Sequence, residues 1–134
     1  MNKQEEPFDG FAAFSQGVQF AFTLFQATRY FKKRLGLRHR MPYFLIDFNG
    51  GRNPYMTYDF LDNSFLTKCN FIPGIETLHF ISQKDFFVFS SLRNTVLFES
   101  ENPVVVEHED GHRPVKILTK ERLEVVANFL IRQY

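Results

Sequence analysis

From Phe11 to Thr28 the chain carries no charged residue, and apolar side chains recur through that run at helical spacing. Phe11, Phe14, Val18, Ala21 and Phe25 mark one stripe, and Gly17, Phe20, Leu24, Ala27 and Phe31 mark a second beside it. Residues three, four and seven apart share a helix face, so the pattern predicts one long helix from about Phe11 to Leu35. Asp9 suits its N-cap and Gly36 its C-terminal end, with Lys32, Lys33 and Arg34 complementing the dipole in the last turn. Eighteen uncharged residues are the lower limit for a membrane span, but Gln16, Gln19, Thr23 and Gln26 interrupt them. The expectation is a helix outside the membrane, covered on one side by its own sheet and on the other by another chain. Phe14, Val18 and Phe25 are the candidate partner contacts. Gly17 would allow close approach there.

Beyond Met41 the hydrophobic period becomes two. Tyr43–Phe48 reads as a strand with Phe44, Ile46 and Phe48 on one face, followed by Asn49-Gly50, a strong hairpin signal, and a partner strand at Tyr55–Phe60. Further strands are expected at Leu66–Phe71, Thr77–Ser82, Phe86–Ser90, Thr95–Glu99, Val104–His108 and Val115–Leu118. Short polar connections between them imply antiparallel neighbours, since a parallel pair needs a long crossover. Thr119 then caps a last helix over about Lys120–Gln133, with Leu123, Val126, Phe129 and Leu130 as its apolar stripe. The predicted class is α+β: a long N-terminal helix, an antiparallel meander of about six or seven strands, and a C-terminal helix. Both helices are expected on one face of the sheet.

With 134 residues the chain suits a single domain over 1–134, with 1–8 as a polar N-terminal tail. There are 18 phenylalanines and no tryptophan, more rings than a small domain hides easily, so some are expected at an interface. One cysteine, Cys69, excludes an intramolecular disulfide. The acid-containing, proline-bearing start does not read as a secretory signal, and the cytoplasm is expected.

Net charge is +1, but the basic residues are segregated: Arg29, Lys32, Lys33, Arg34, Arg38 and Arg40 lie close together, and they are the candidate electrostatic contacts for a partner. Nucleic acid or another anionic surface is the alternative use of the same cluster.

Chemistry is harder to place. Glu107-His108-Glu109-Asp110-Gly111-His112 gathers metal-capable side chains, with His79 as a possible third ligand, but reads as a solvated hairpin. Cys69 could act as a nucleophile with His79 or His39, and Asp47 and Asp59 could share a cleft, yet Cys69 has no local signature and the two acids read as exposed strand positions. Neither a cofactor nor a metal site is expected, and no catalytic residue is assigned.

The run from Phe86-Phe87-Val88-Phe89 through Asn102-Pro103-Val104-Val105-Val106 to the final helix resembles the end of small α+β immunity domains. That resemblance implies a protein that neutralises a partner. The leading expectation is therefore a non-catalytic protein-binding module (inhibitor, immunity factor or small assembly subunit) whose partner is another protein or a second copy. A small enzyme using Cys69 with histidine, or a carboxylate pair, is the further alternative.

Overall fold

The computed structural model describes residues 8–35, 42–51, 74–98, 100, 102–115 and 119–134, with the side chains of 29–35 and 97 left aside. In chain order the elements are β1 (Gly10–Phe14), α1 (Gln16–Leu35), β2 (Phe44–Phe48), β3 (Glu76–Ser82), α2 (Val88–Leu97), β4 (Val104–His108) and α3 (Lys120–Ile131). The four strands form one sheet in the order β1-β2-β3-β4, and every neighbouring pair is parallel.

This overturns the antiparallel meander and the α+β class; the architecture is α/β. The crossovers are longer than the sequence pattern suggested, because two of the expected strands do not exist. Phe86–Ser90, and residues 95–98 of the strand expected at Thr95–Glu99, give way to turns and to α2, so β3 and β4 are joined through a helix, the usual crossover of a parallel pair; residue 99 lies outside the described residues. Asn49-Gly50 is no hairpin either. Both edges of β2 are already taken, by β1 on one side and β3 on the other. The expected strands Tyr55–Phe60 and Leu66–Phe71 lie outside the described residues, as does 116–118 of the strand expected at Val115–Leu118.

The long first helix also divides. Gly10–Phe14 is a strand paired in register with Phe44–Phe48, Ser15 takes a φ of 52°, and the helix begins only at Gln16. A right-handed helix cannot continue through positive φ, so one residue separates the two elements. At the other end, Thr119 caps α3 as its sequence suggested, its side chain accepting from the Arg122 N–H.

Helices cover both faces of the sheet, not one. On the first face Val18, Ala21, Phe22 and Phe25 of α1 pack with Leu45, Ile75 and Phe98. The rings of Phe22 and Phe25 meet Phe98 edge-on at 5.7 and 6.2 Å. On the second face Phe129 of α3 joins Ile46, Leu78, Phe80 and Val115, with Phe44 and Phe48 alongside. Phe44, Ile46 and Phe48 thus share a face as their alternation predicted. Each fully buried ring contributes roughly 1.5–3 kcal/mol. The aromatic excess serves two ends: Phe25, Phe80, Phe98 and Phe129 are core, while Phe8, Phe20, Phe86 and Phe89 remain exposed.

Strands buried on both faces read as near-continuous apolar runs. All six residues of Thr77-Leu78-His79-Phe80-Ile81-Ser82 are buried, but Thr77, His79 and Ser82 are polar, so β3 departs from that pattern.

Candidate active site

The carboxyl ends of the parallel strands carry the loops that meet around Ser15. Ser15 sits between β1 and α1, its N–H donating to the Phe48 carbonyl at 3.1 Å, while its own carbonyl accepts from Val18 N–H in the first turn of α1. That pins the backbone on both sides of a conformation that non-glycine residues rarely take. The residues two before and two after are Ala13 and Gly17, and a Cβ added at Gly17 would lie 3.7 Å from that of Ala13. Small side chains on each side of the serine let the strand turn sharply into the helix.

His112 lies in the loop after β4. Its Nε2 is 2.9 Å from the Ser15 hydroxyl, and its Nδ1 is 2.7 Å from Asp85 Oδ2. Asp85, in the loop after β3, is buried, and its second oxygen accepts the Phe87 N–H at 2.7 Å. A carboxylate facing Nδ1 sets the proton on that nitrogen and leaves Nε2 to accept from the serine. Hydroxyl, imidazole and carboxylate form one line from solvent into the protein. The rings of Phe14, Phe86 and Phe87 surround the imidazole at centroid distances of 5.1, 4.8 and 5.3 Å, giving it an apolar wall.

Such a line is what acyl transfer needs: a nucleophile within hydrogen-bond reach of a base that a third group orients. The chain order is serine, aspartate, histidine. The stretch Ala13-Phe14-Ser15-Gln16-Gly17 has the strand–turn–helix setting of a nucleophile elbow, with alanine where the G-x-S-x-G pattern has its first glycine. Residues 1–115 match the family described as Serine hydrolase (FSH1). The chain belongs to that serine hydrolase family. Among solved structures it is similar to acyl-protein thioesterase 2 of Zea mays, with a TM-score of 0.55 and 17% identity over 98% of this chain. The chain spans 58% of that thioesterase chain's length. No curated protein matches it.

Membership of a serine hydrolase family overturns the reading as a non-catalytic, immunity-like binding module and favours the enzyme alternative, though with other residues than those singled out. Cys69 and Asp59 lie outside the described residues. Asp47, expected at an exposed position, is buried. Its carboxylate accepts from Gly50 N–H at 2.8 Å and Asn94 Nδ2 at 3.2 Å, and it pairs with His79 Nδ1 at 3.0 Å. The expected acidic hairpin is instead the loop after β4 that brings His112 to Ser15. His108 hydrogen-bonds Asn49 and His112 reaches Ser15, and no group of three metal-capable side chains gathers among the described residues.

Of the candidate partner contacts, Val18 and Phe25 are buried against the sheet, and Phe14 packs beside His112. Arg38 and Arg40, and the side chains of Arg29, Lys32, Lys33 and Arg34, lie outside what is described. No helix among the described residues is long and apolar enough to cross a membrane.

Three residues were missed as chemistry: Ser15, which passed as one more polar position of a helix; Asp85, which passed as part of a connection; and His112, which drew notice only as a metal ligand. The small-x-Ser-x-Gly run, the aspartate after a strand and the glycine-histidine pair downstream were the available signals.

Proposed function

We propose that this serine hydrolase cleaves carboxylic esters or thioesters through an acyl-enzyme on Ser15. The hydrogen-bonded line Ser15–His112–Asp85 carries the reading. Ser15 Oγ attacks the carbonyl carbon while His112 Nε2 takes its proton, giving a tetrahedral oxyanion. Collapse breaks the bond to the alcohol or thiol, which leaves with the proton from His112. Water then attacks the acyl-serine by the same route in reverse, releasing the carboxylic acid and restoring the hydroxyl.

Gln16 follows the nucleophile at the start of α1, where backbone N–H groups have no acceptor within the helix; its N–H is the group available to the oxyanion. The walls formed by Phe14, Phe86 and Phe87 favour an apolar acyl group over a charged one. Turnover of p-nitrophenyl esters tests this: activity that disappears in Ser15→Ala supports the assignment, and activity unchanged in that variant contradicts it.

A further inference from the structure

Asn49 is fully buried, has a φ of 50°, and stands at the end of β2 where the loops after β3 and β4 converge. Its backbone N–H donates to the Phe80 carbonyl at 2.9 Å. Its side-chain oxygen accepts from the Ser82 N–H at 3.0 Å and from His108 Nε2 at 3.2 Å. Its side-chain nitrogen donates to the carbonyls of Gly111 at 3.2 Å and Arg113 at 2.8 Å. Only one orientation of the amide satisfies all four side-chain partners, because two are donors and two are acceptors. The two accepting carbonyls belong to the residues immediately before and after His112.

We propose that Asn49 is a positioning residue for the reaction, clamping the backbone on both sides of His112 so that the imidazole stays between Ser15 and Asp85. This rests on the hydrolase reading of the site. Gly111 takes a φ of 68°, and its N–H donates to Ser82 Oγ at 3.0 Å, so the same β3 end that Asn49 holds also holds the glycine. His108 completes the clamp: its Nδ1 accepts the Asp110 N–H at 3.2 Å, which leaves the proton on Nε2 to donate to Asn49. Without the Asn49 amide, the Gly111 and Arg113 carbonyls lose a buried donor and the His112 backbone is free to shift. A general base displaced by a fraction of an ångström from its nucleophile loses much of its effect.

The test uses the full chain and the rate at which a fluorophosphonate labels Ser15. Asn49→Gly keeps the backbone free to adopt positive φ and removes the side chain; Asn49→Asp keeps the acceptor and removes both donors. Each is expected to slow labelling by about tenfold or more. In a His112→Ala background, adding Asn49→Gly is expected to change the residual rate by less than about twofold, because the clamp acts through a ring no longer present. Equal slowing in both backgrounds would mean a merely structural role and overturns the proposal, as does a loss under about threefold in the otherwise native chain. If Asn49→Gly fails to fold, Asn49→Asp gives the same comparison.

Should the native chain not label at all, the hydrolase reading fails, and the clamp is then read from the His112 Nδ1–H signal by NMR. Loss of that signal in the folded Asn49 variant supports the clamp, and its persistence rejects it.

Discussion

His112 Nε2 lies 2.9 Å from the Ser15 hydroxyl although 97 positions separate the two residues in sequence. Neither element is built around the other; the parallel sheet brings them together. Ser15 follows the first strand and His112 follows the last, so the segments at the carboxyl ends of β1 and β4 converge across β2 and β3. Ligands and reactions gather at that edge of open α/β sheets for the same topological reason.

Asp85 faces His112 with one oxygen and accepts the Phe87 N–H with the other, and an asparagine keeps an oxygen for Phe87, so removing the charge should spare the fold and impair the base. Asp85→Asn is expected to reduce ester turnover by about a hundredfold to ten-thousandfold, since an amide no longer enforces the productive tautomer. Steady-state kinetics beside a thermal melt check this; a variant with near-native turnover would leave Asp85 without a part in the reaction.

Gly50 is needed for space. A Cβ there would fall 2.6 Å from Asp47 Oδ1, 2.7 Å from Asn94 Nδ2 and 2.7 Å from Val18 Cγ1, all buried groups with little room to retreat. Gly50→Ala should destabilise by about 1–3 kcal/mol, and Gly50→Val by more, measured by urea unfolding. The turn reading of Asn49-Gly50 needs positive φ at both residues; the structure has it at Asn49 but not at Gly50, and makes the glycine a matter of packing. Equal stability of Gly50→Ala and the parent would remove this contact from the account.

That case typifies what the sequence disclosed. Local alternation located β2, β3 and β4 within a residue or so, and Thr119 marked the last helix. Strand direction was not legible, because direction depends on which segments cross over, and Phe86-Phe87-Val88-Phe89 looks equally like a buried strand or the start of an amphipathic helix. β1 was hidden for a sharper reason. Phe11 and Phe14 fall at i and i+3 and continue the α1 stripe through Val18, so periodicity crossed the elbow without a break. The boundary itself is one residue of positive φ, held by a tertiary hydrogen bond to Phe48 and a local one from Val18. The three groups of the site meet only once the sheet is parallel, so the local signals around each of them do not show that they belong together.

His108 gives stability a pH dependence of known sign. Burial disfavours the imidazolium and holds its pKa below the ordinary 6.5; Asp110 opposes that shift and Arg122 adds to it. Because the folded value is depressed, the unfolded chain binds the extra proton first as pH falls. The contribution is therefore fully present above about 6.5 and is lost as pH drops from there through the folded value. Melting temperatures measured downward from neutral pH should fall over this window, and less steeply in His108→Gln. Parallel profiles for the two proteins would assign the acid sensitivity to other groups.

The central claim, that Ser15 is the nucleophile, is tested most directly by mass spectrometry after treating the chain with a fluorophosphonate. One covalent adduct on the peptide containing Ser15, absent in Ser15→Ala and slowed in His112→Ala, is the predicted result. No adduct, or an adduct that persists in Ser15→Ala, would contradict it.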